Sequence, residues 1–79
     1  MDFPQRAILI KVSDGLGYHK NDEKYIGKAF NRVLNIVDTI KGNMFLTDFY
    51  IPEFKEENND YVRYGFLIVS RKNIEFVIS

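Results

Sequence analysis

Three short apolar runs within residues 44–78 do most to limit what this chain can fold into. Each is rich in β-branched or aromatic side chains and is bounded by polar or turn-forming residues, the pattern of strands. Eight of the twelve aromatic residues lie there: Phe45, Phe49, Tyr50, Phe54, Tyr61, Tyr64, Phe66 and Phe76. Because side chains alternate across a strand, both faces of these runs stay apolar. One helix covers only one face of a sheet, so the other face needs an explanation.

The punctuation of the chain supplies element boundaries. Residues 6–12 form a β-branched-rich run between Pro4 and Ser13-Asp14-Gly15, which predicts a first strand. Residues 13–20 read as a loop. Asn21 is placed to cap a helix whose first turn carries Asp22 and Glu23, where negative charge suits the helix dipole. Ile26, Ala29, Phe30, Val33, Leu34, Val37 and Ile40 then recur at helical spacing, and Lys41-Gly42 supplies a terminal cation and glycine. The spacing predicts a helix over about residues 22–41. Strands follow at 44–51, 61–70 and 74–78, the last two joined as a hairpin by Arg71-Lys72-Asn73. The expected fold is α+β, in the order β-α-β-β-β. A four-stranded, mostly antiparallel sheet would carry one amphipathic helix on one face of a single domain spanning 1–79.

Parity then divides the strands. One set, Ile8, Ile10, Val12, Phe45, Phe49, Ile51, Tyr64, Phe66, Ile68, Ile74, Phe76 and Ile78, is assigned to the helix-facing core. The other contains Leu9, Leu46, Tyr50, Leu67, Val69 and Val77, among Lys11, Asp48, Arg63 and Glu75. That second face is too apolar for plain solvent, and it predicts a contact surface of Leu9, Leu46, Tyr50, Leu67, Val69 and Val77 rimmed by Arg63.

Composition narrows the function classes. Without cysteine there are no disulfides and no thiolate metal sites, which fits a reducing cytoplasm. Eleven basic residues balance eleven acidic ones, which weighs against a strongly electrostatic hold on nucleic acid or anionic membrane. No apolar stretch approaches the ~20 residues of a spanning helix, and the N-terminal residues lack the pattern of a signal peptide.

The chemistry-bearing groups are sparse. Gly15-Leu16-Gly17 lies between a strand and the expected helix, but it lacks the third glycine and the Lys-Ser/Thr of a phosphate loop. His19 is the single histidine, and with no placed partner it predicts neither a general base nor a metal site. Glu53, Glu56, Glu57 and Asp60 read as a solvated acidic connection. Lys24, Lys28 and Arg32 repeat four apart on the expected helix and could touch phosphates or an acidic partner. Tyr50, Tyr61 and Tyr64 around Arg63 resemble the exposed rings of single-strand-binding sheets, although Tyr64-Gly65-Phe66-Leu67 does not match the RNA-recognition signature.

In size, neutral charge and lack of a catalytic constellation, the chain is similar to small accessory proteins of phages and mobile elements. That similarity covers no specific residues. The expectation is a non-enzymatic, cytoplasmic interaction protein, an inhibitor or adaptor without cofactor. It would occupy a partner's surface, or pair with itself as a homodimer, through an open sheet face or strand edge. The alternative is a small nucleic-acid-binding module using the basic stripe and the strand aromatics.

Overall fold

The computed structural model describes residues 2–10, 27–58 and 62–77. They form an all-β fold of six antiparallel strands. These are β1 (Gln5–Leu9), β2 (Val33–Lys41), β3 (Met44–Tyr50), β4 (Val62–Arg63), β5 (Phe66–Ser70) and β6 (Ile74–Phe76), with short 3-10 turns at Gly27–Ala29, Pro52–Phe54 and Arg71–Asn73. The sheet order is β4-β5-β3-β2-β1-β6.

The expected α+β fold is therefore wrong, and the error sits in one segment. Residues 33–41 are the longest strand of the sheet, not the second half of a helix. The beginning of the expected helix, including Lys24, lies outside the described residues. Leu34 and Ile36 turn inward while Val33, Asn35 and Val37 are exposed, a period of two. Apolar residues at spacings of three and four fit a helix by arithmetic. Val33, Ile36, Val37, Thr39 and Ile40, however, are all β-branched and favour a pleated strand. Lys41-Gly42 is not a helix end: Lys41 closes β2, and Gly42-Asn43 is the two-residue turn into β3. Gly42 has φ +47° and Lys41 pairs with Met44 across the hairpin.

Two further expectations change. Residues 61–70 are not one strand, because β4 and β5 fold back on each other at Tyr64-Gly65. Nor do β5 and β6 form a hairpin: β5 pairs with β3 and β4, and β6 pairs with β1. This has a geometric consequence. β5 and β6 stand four places apart in the sheet, roughly 19 Å if the sheet were flat. The three residues between them lie in a 3-10 turn rising only about 2 Å per residue. The sheet must curl to bring its flanks together. Bulges in the β2–β3 pairing, between Ile36 and Asp38 and again between Thr39 and Lys41, provide bend. The 3-10 turn is tied to the β2–β3 turn, where Arg71 N–H donates to Asn43 O at 2.8 Å, and to the end of β1, where Ile10 N–H donates to Asn73 O at 2.7 Å.

The curl supplies the core that a helix was expected to cover. Ala7, Leu9, Leu34, Ile36, Phe45, Leu67 and Val69 fill its concave side, and Phe45 and Phe76 meet edge to face at 5.7 Å. Each fully buried aliphatic side chain contributes about 1.5–3 kcal/mol. The parity assignment holds for β3 and β6, where Phe45 and Ile74 are buried, and is inverted on β1; on β5 Ile68 is buried as expected, but so are Leu67 and Val69, while Phe66 is exposed. Phe66-Leu67-Ile68-Val69 is continuously apolar, so alternation carries no phase there. On β1, Ala7 and Leu9 point inward and Ile10 is exposed.

One irregularity is repaired by a side chain. The β3–β5 register shifts between Leu46 and Tyr50. Within that gap the buried Thr47 hydroxyl donates to Leu67 O at 2.8 Å and accepts from Phe49 N–H at 3.1 Å. It thus occupies backbone groups that the displaced ladder would otherwise leave unpaired. Asn73 is also fully buried, and its side-chain amide has no hydrogen-bond partner among the described residues. The radius of gyration is 11.3 Å.

Candidate functional site

The expected contact residues separate when placed on this fold. Leu9, Leu67 and Val69 are fully buried and form core, not a free face. Leu46 and Val77 are half-buried, whereas Tyr50 and Arg63 are exposed. The basic stripe loses its helix. Lys28 lies in the first 3-10 turn and Arg32 in the bend before β2, both exposed, with the buried Ala29 between them. His19, the Gly15/Gly17 loop, Asp60 and Tyr61 lie outside the described residues. Among the described residues, no group of three or more histidine, aspartate or glutamate side chains could hold a metal ion.

What the structure brings together is a ledge of rings around the β4–β5 turn. Tyr50 and Phe66 are cross-strand partners whose ring centroids lie 5.3 Å apart. Phe66 in turn faces Arg63 across the hairpin. Tyr64 and Gly65 form the two-residue turn, with φ of +52° and +89°. Positive φ at both central positions is the requirement of a type I′ turn, whose preferred first residue is asparagine, aspartate or glycine. A tyrosine there carries the left-handed penalty of roughly 1–2 kcal/mol. Its ring nevertheless projects outward, 61% exposed.

The neighbouring connection holds the turn in place. Ile51 N–H donates to Gly65 O at 2.7 Å, Tyr64 N–H donates to Glu57 O at 2.6 Å, and Asn58 bridges to Arg63. The Tyr50 ring lies where a side chain on Gly65 would begin: a Cβ there would stand 2.6 Å from Tyr50 Cε1. Glycine at 65 thus serves both the turn and the seat of Tyr50. The exposed Glu53, Lys55 and Glu56 belong to this same connection.

The strand edges offer less. Among the described residues the sheet ends at β4 and β6, of two and three residues, and β4 is already bridged at Arg63 by Asn58. So short an edge gives an added strand few main-chain hydrogen bonds. Elsewhere on the convex side, Ile8 and Val33 pair across β1 and β2, and Asn35 donates to Asp48 at 3.0 Å across β2 and β3. This leaves the ledge as the most concentrated exposed aromatic surface of the described residues.

Sequence reasoning found Tyr50, Tyr64 and Arg63 but placed Tyr64 and Phe66 in the core. The missed signal was Gly65, an isolated glycine inside an apparent strand. Among the described residues, no helix is long and apolar enough to cross a membrane. No family model matches the chain, and comparison with curated proteins and with solved structures likewise finds no match.

Proposed function

We propose that this chain is a non-enzymatic interaction module, of the inhibitor or adaptor kind, that occupies a protein partner through the ledge of Tyr50, Tyr64 and Phe66. The observation that carries the reading is Tyr64. The fold would be served better by asparagine at this turn position, and the exposed ring adds little to the core. Backbone strain retained beside an exposed aromatic cluster is a mark of function. Tyrosine is also enriched among residues that dominate binding energy. The shortness of the edge strands among the described residues supports a sheet-face contact over strand addition. The absence of cysteine supports a cytoplasmic setting.

The test is site-specific photocrosslinking in the native host with benzophenone at position 64, and at Lys41 as a control. Discrete protein adducts from position 64 alone are expected. Equal adducts from both positions, or none from 64, would remove the reading. Single-stranded nucleic acid could use the same rings with Arg63. Glu53 and Glu56 on the adjoining connection, and the zero net charge, weigh against it. Retention on oligonucleotides at low salt, lost on Arg63→Glu, would reverse that preference.

A further inference from the structure

Granting that the ledge is a protein-binding surface, we propose that its occupant is a short, extended, arginine-bearing peptide segment rather than a folded partner or a second copy of this chain. Area is the first argument. Tyr50, Tyr64 and Phe66 are 46%, 61% and 38% exposed. For side chains of about 200 Å2 each, they offer roughly 300 Å2 together. A stable interface between folded proteins buries about 800 Å2 on each side. The ledge suits a few residues of an extended chain.

Charge is the second argument. The connection hydrogen-bonded to the ring-bearing turn carries Glu53, Glu56 and Glu57, against Lys55 on the same connection and Arg63 on β4. Among the described residues the local balance is one negative charge, in a chain whose total is zero. The third argument is the rings themselves. A guanidinium stacks on the face of tyrosine or phenylalanine, and the described residues already hold such a contact, with the Arg71 guanidinium carbon 5.5 Å from the Phe76 ring centroid. An arginine laid on Tyr50 or Tyr64 keeps its outer nitrogens free for Glu53 or Glu56. Nucleic acid would stack on the same rings but bring phosphates to those carboxylates.

The experiment is a nitrogen-15 NMR titration of the whole chain. The probes are a blocked peptide of alternating arginine and proline, its glutamate-for-arginine counterpart, and a thymidine octanucleotide. Proline keeps the peptides extended, so little ordering cost obscures the comparison. The expected result is saturable shifts from the arginine peptide at Tyr50, Tyr64, Gly65 and Phe66, weakening as salt rises. Tyr64→Ala should weaken binding about tenfold, as loss of a central aromatic contact does. The double variant Glu53→Gln/Glu56→Gln should weaken it about threefold, with the rings intact. Either the glutamate peptide or the oligonucleotide binding as tightly as the arginine peptide would overturn the inference. So would no ledge shift with the arginine peptide. If crosslinking at position 64 still captures a protein in that case, the interaction reading stands and only the peptide class fails.

Discussion

Gly65→Ala tests the architecture of the ledge at its most constrained atom. Two costs are expected, and they can be separated. The φ of +89° penalises any side chain, by about 1–2 kcal/mol. The new methyl group would also stand 2.6 Å from Tyr50 Cε1, 3.0 Å from Cδ1 and 3.1 Å from the Lys55 Cα. The ring packs on Phe66, with centroids 5.3 Å apart, and would have to shift. The Lys55 backbone is fixed by its neighbours. Overpacking of this sort adds about 1–3 kcal/mol, so the total should be about 2–5 kcal/mol. For a domain of this size, that lowers Tm by roughly 8–40 °C. Gly42→Ala is the control: it has φ +47° but nothing within 4 Å, and should show only the conformational cost of about 1 kcal/mol. A double-mutant cycle in urea then isolates the ring. Gly65→Ala should cost about 1–2 kcal/mol less in a Tyr50→Ala background, the coupling expected of touching residues. Additive effects, or equal costs at positions 42 and 65, would refute the claim that Tyr50 is seated on Gly65.

Three other substitutions probe different features. Thr47→Val should lower stability by about 2 kcal/mol in urea denaturation by leaving Phe49 N–H and Leu67 O unpaired, with Thr47→Ser milder; no loss would mean that the hydroxyl does not bridge the register shift. Leu67→Asp should unfold the protein by circular dichroism because the side chain is fully buried, whereas Tyr50→Asp should remain folded; a folded Leu67→Asp would refute the core assignment. Tyr64→Asn should stay within about 1 kcal/mol of the parent, as relief of turn strain offsets the ring's partial burial. The same variant should lose ledge binding, and retained binding would detach the ring from the site.

Strand existence in the C-terminal half was legible, because β-branched and aromatic runs bounded by turn residues have few other solutions. β1 was legible for the same reason, and β3 even to its facing. Residues 33–41 were not. Their apolar positions satisfy a helical series and a strand series together, and Lys41-Gly42 ends a helix as readily as it makes a hairpin turn. The tie was breakable by the β-branched content of Val33, Ile36, Val37, Thr39 and Ile40, a local preference that the periodicity count ignores. Leu67 and Val69 were misplaced because a strand apolar on both sides has no phase of its own. Its facing is set by pairing with β3, and that pairing is long-range. The ledge was half visible. Tyr50, Tyr64 and Arg63 stand out by residue type, but only the turn at Gly65 gathers them with Phe66.

The pairing of β1 with β6 has a consequence for the order of assembly. Ala7 lies opposite Phe76, and Val77 N–H donates to Arg6 O at 2.9 Å, so the chain enters and leaves the sheet at one point. The β2–β3 and β4–β5 hairpins close over two residues each and cost little loop entropy. The β1–β6 ladder must gather nearly the whole chain first and is entropically the last to form. The aromatic turn therefore belongs to an early, local unit, while closure of the sheet belongs to a late, global one. A circular permutant that joins the two ends near Arg6 and Val77 would make the slowest contact a local one and leave the rings of the ledge where they are.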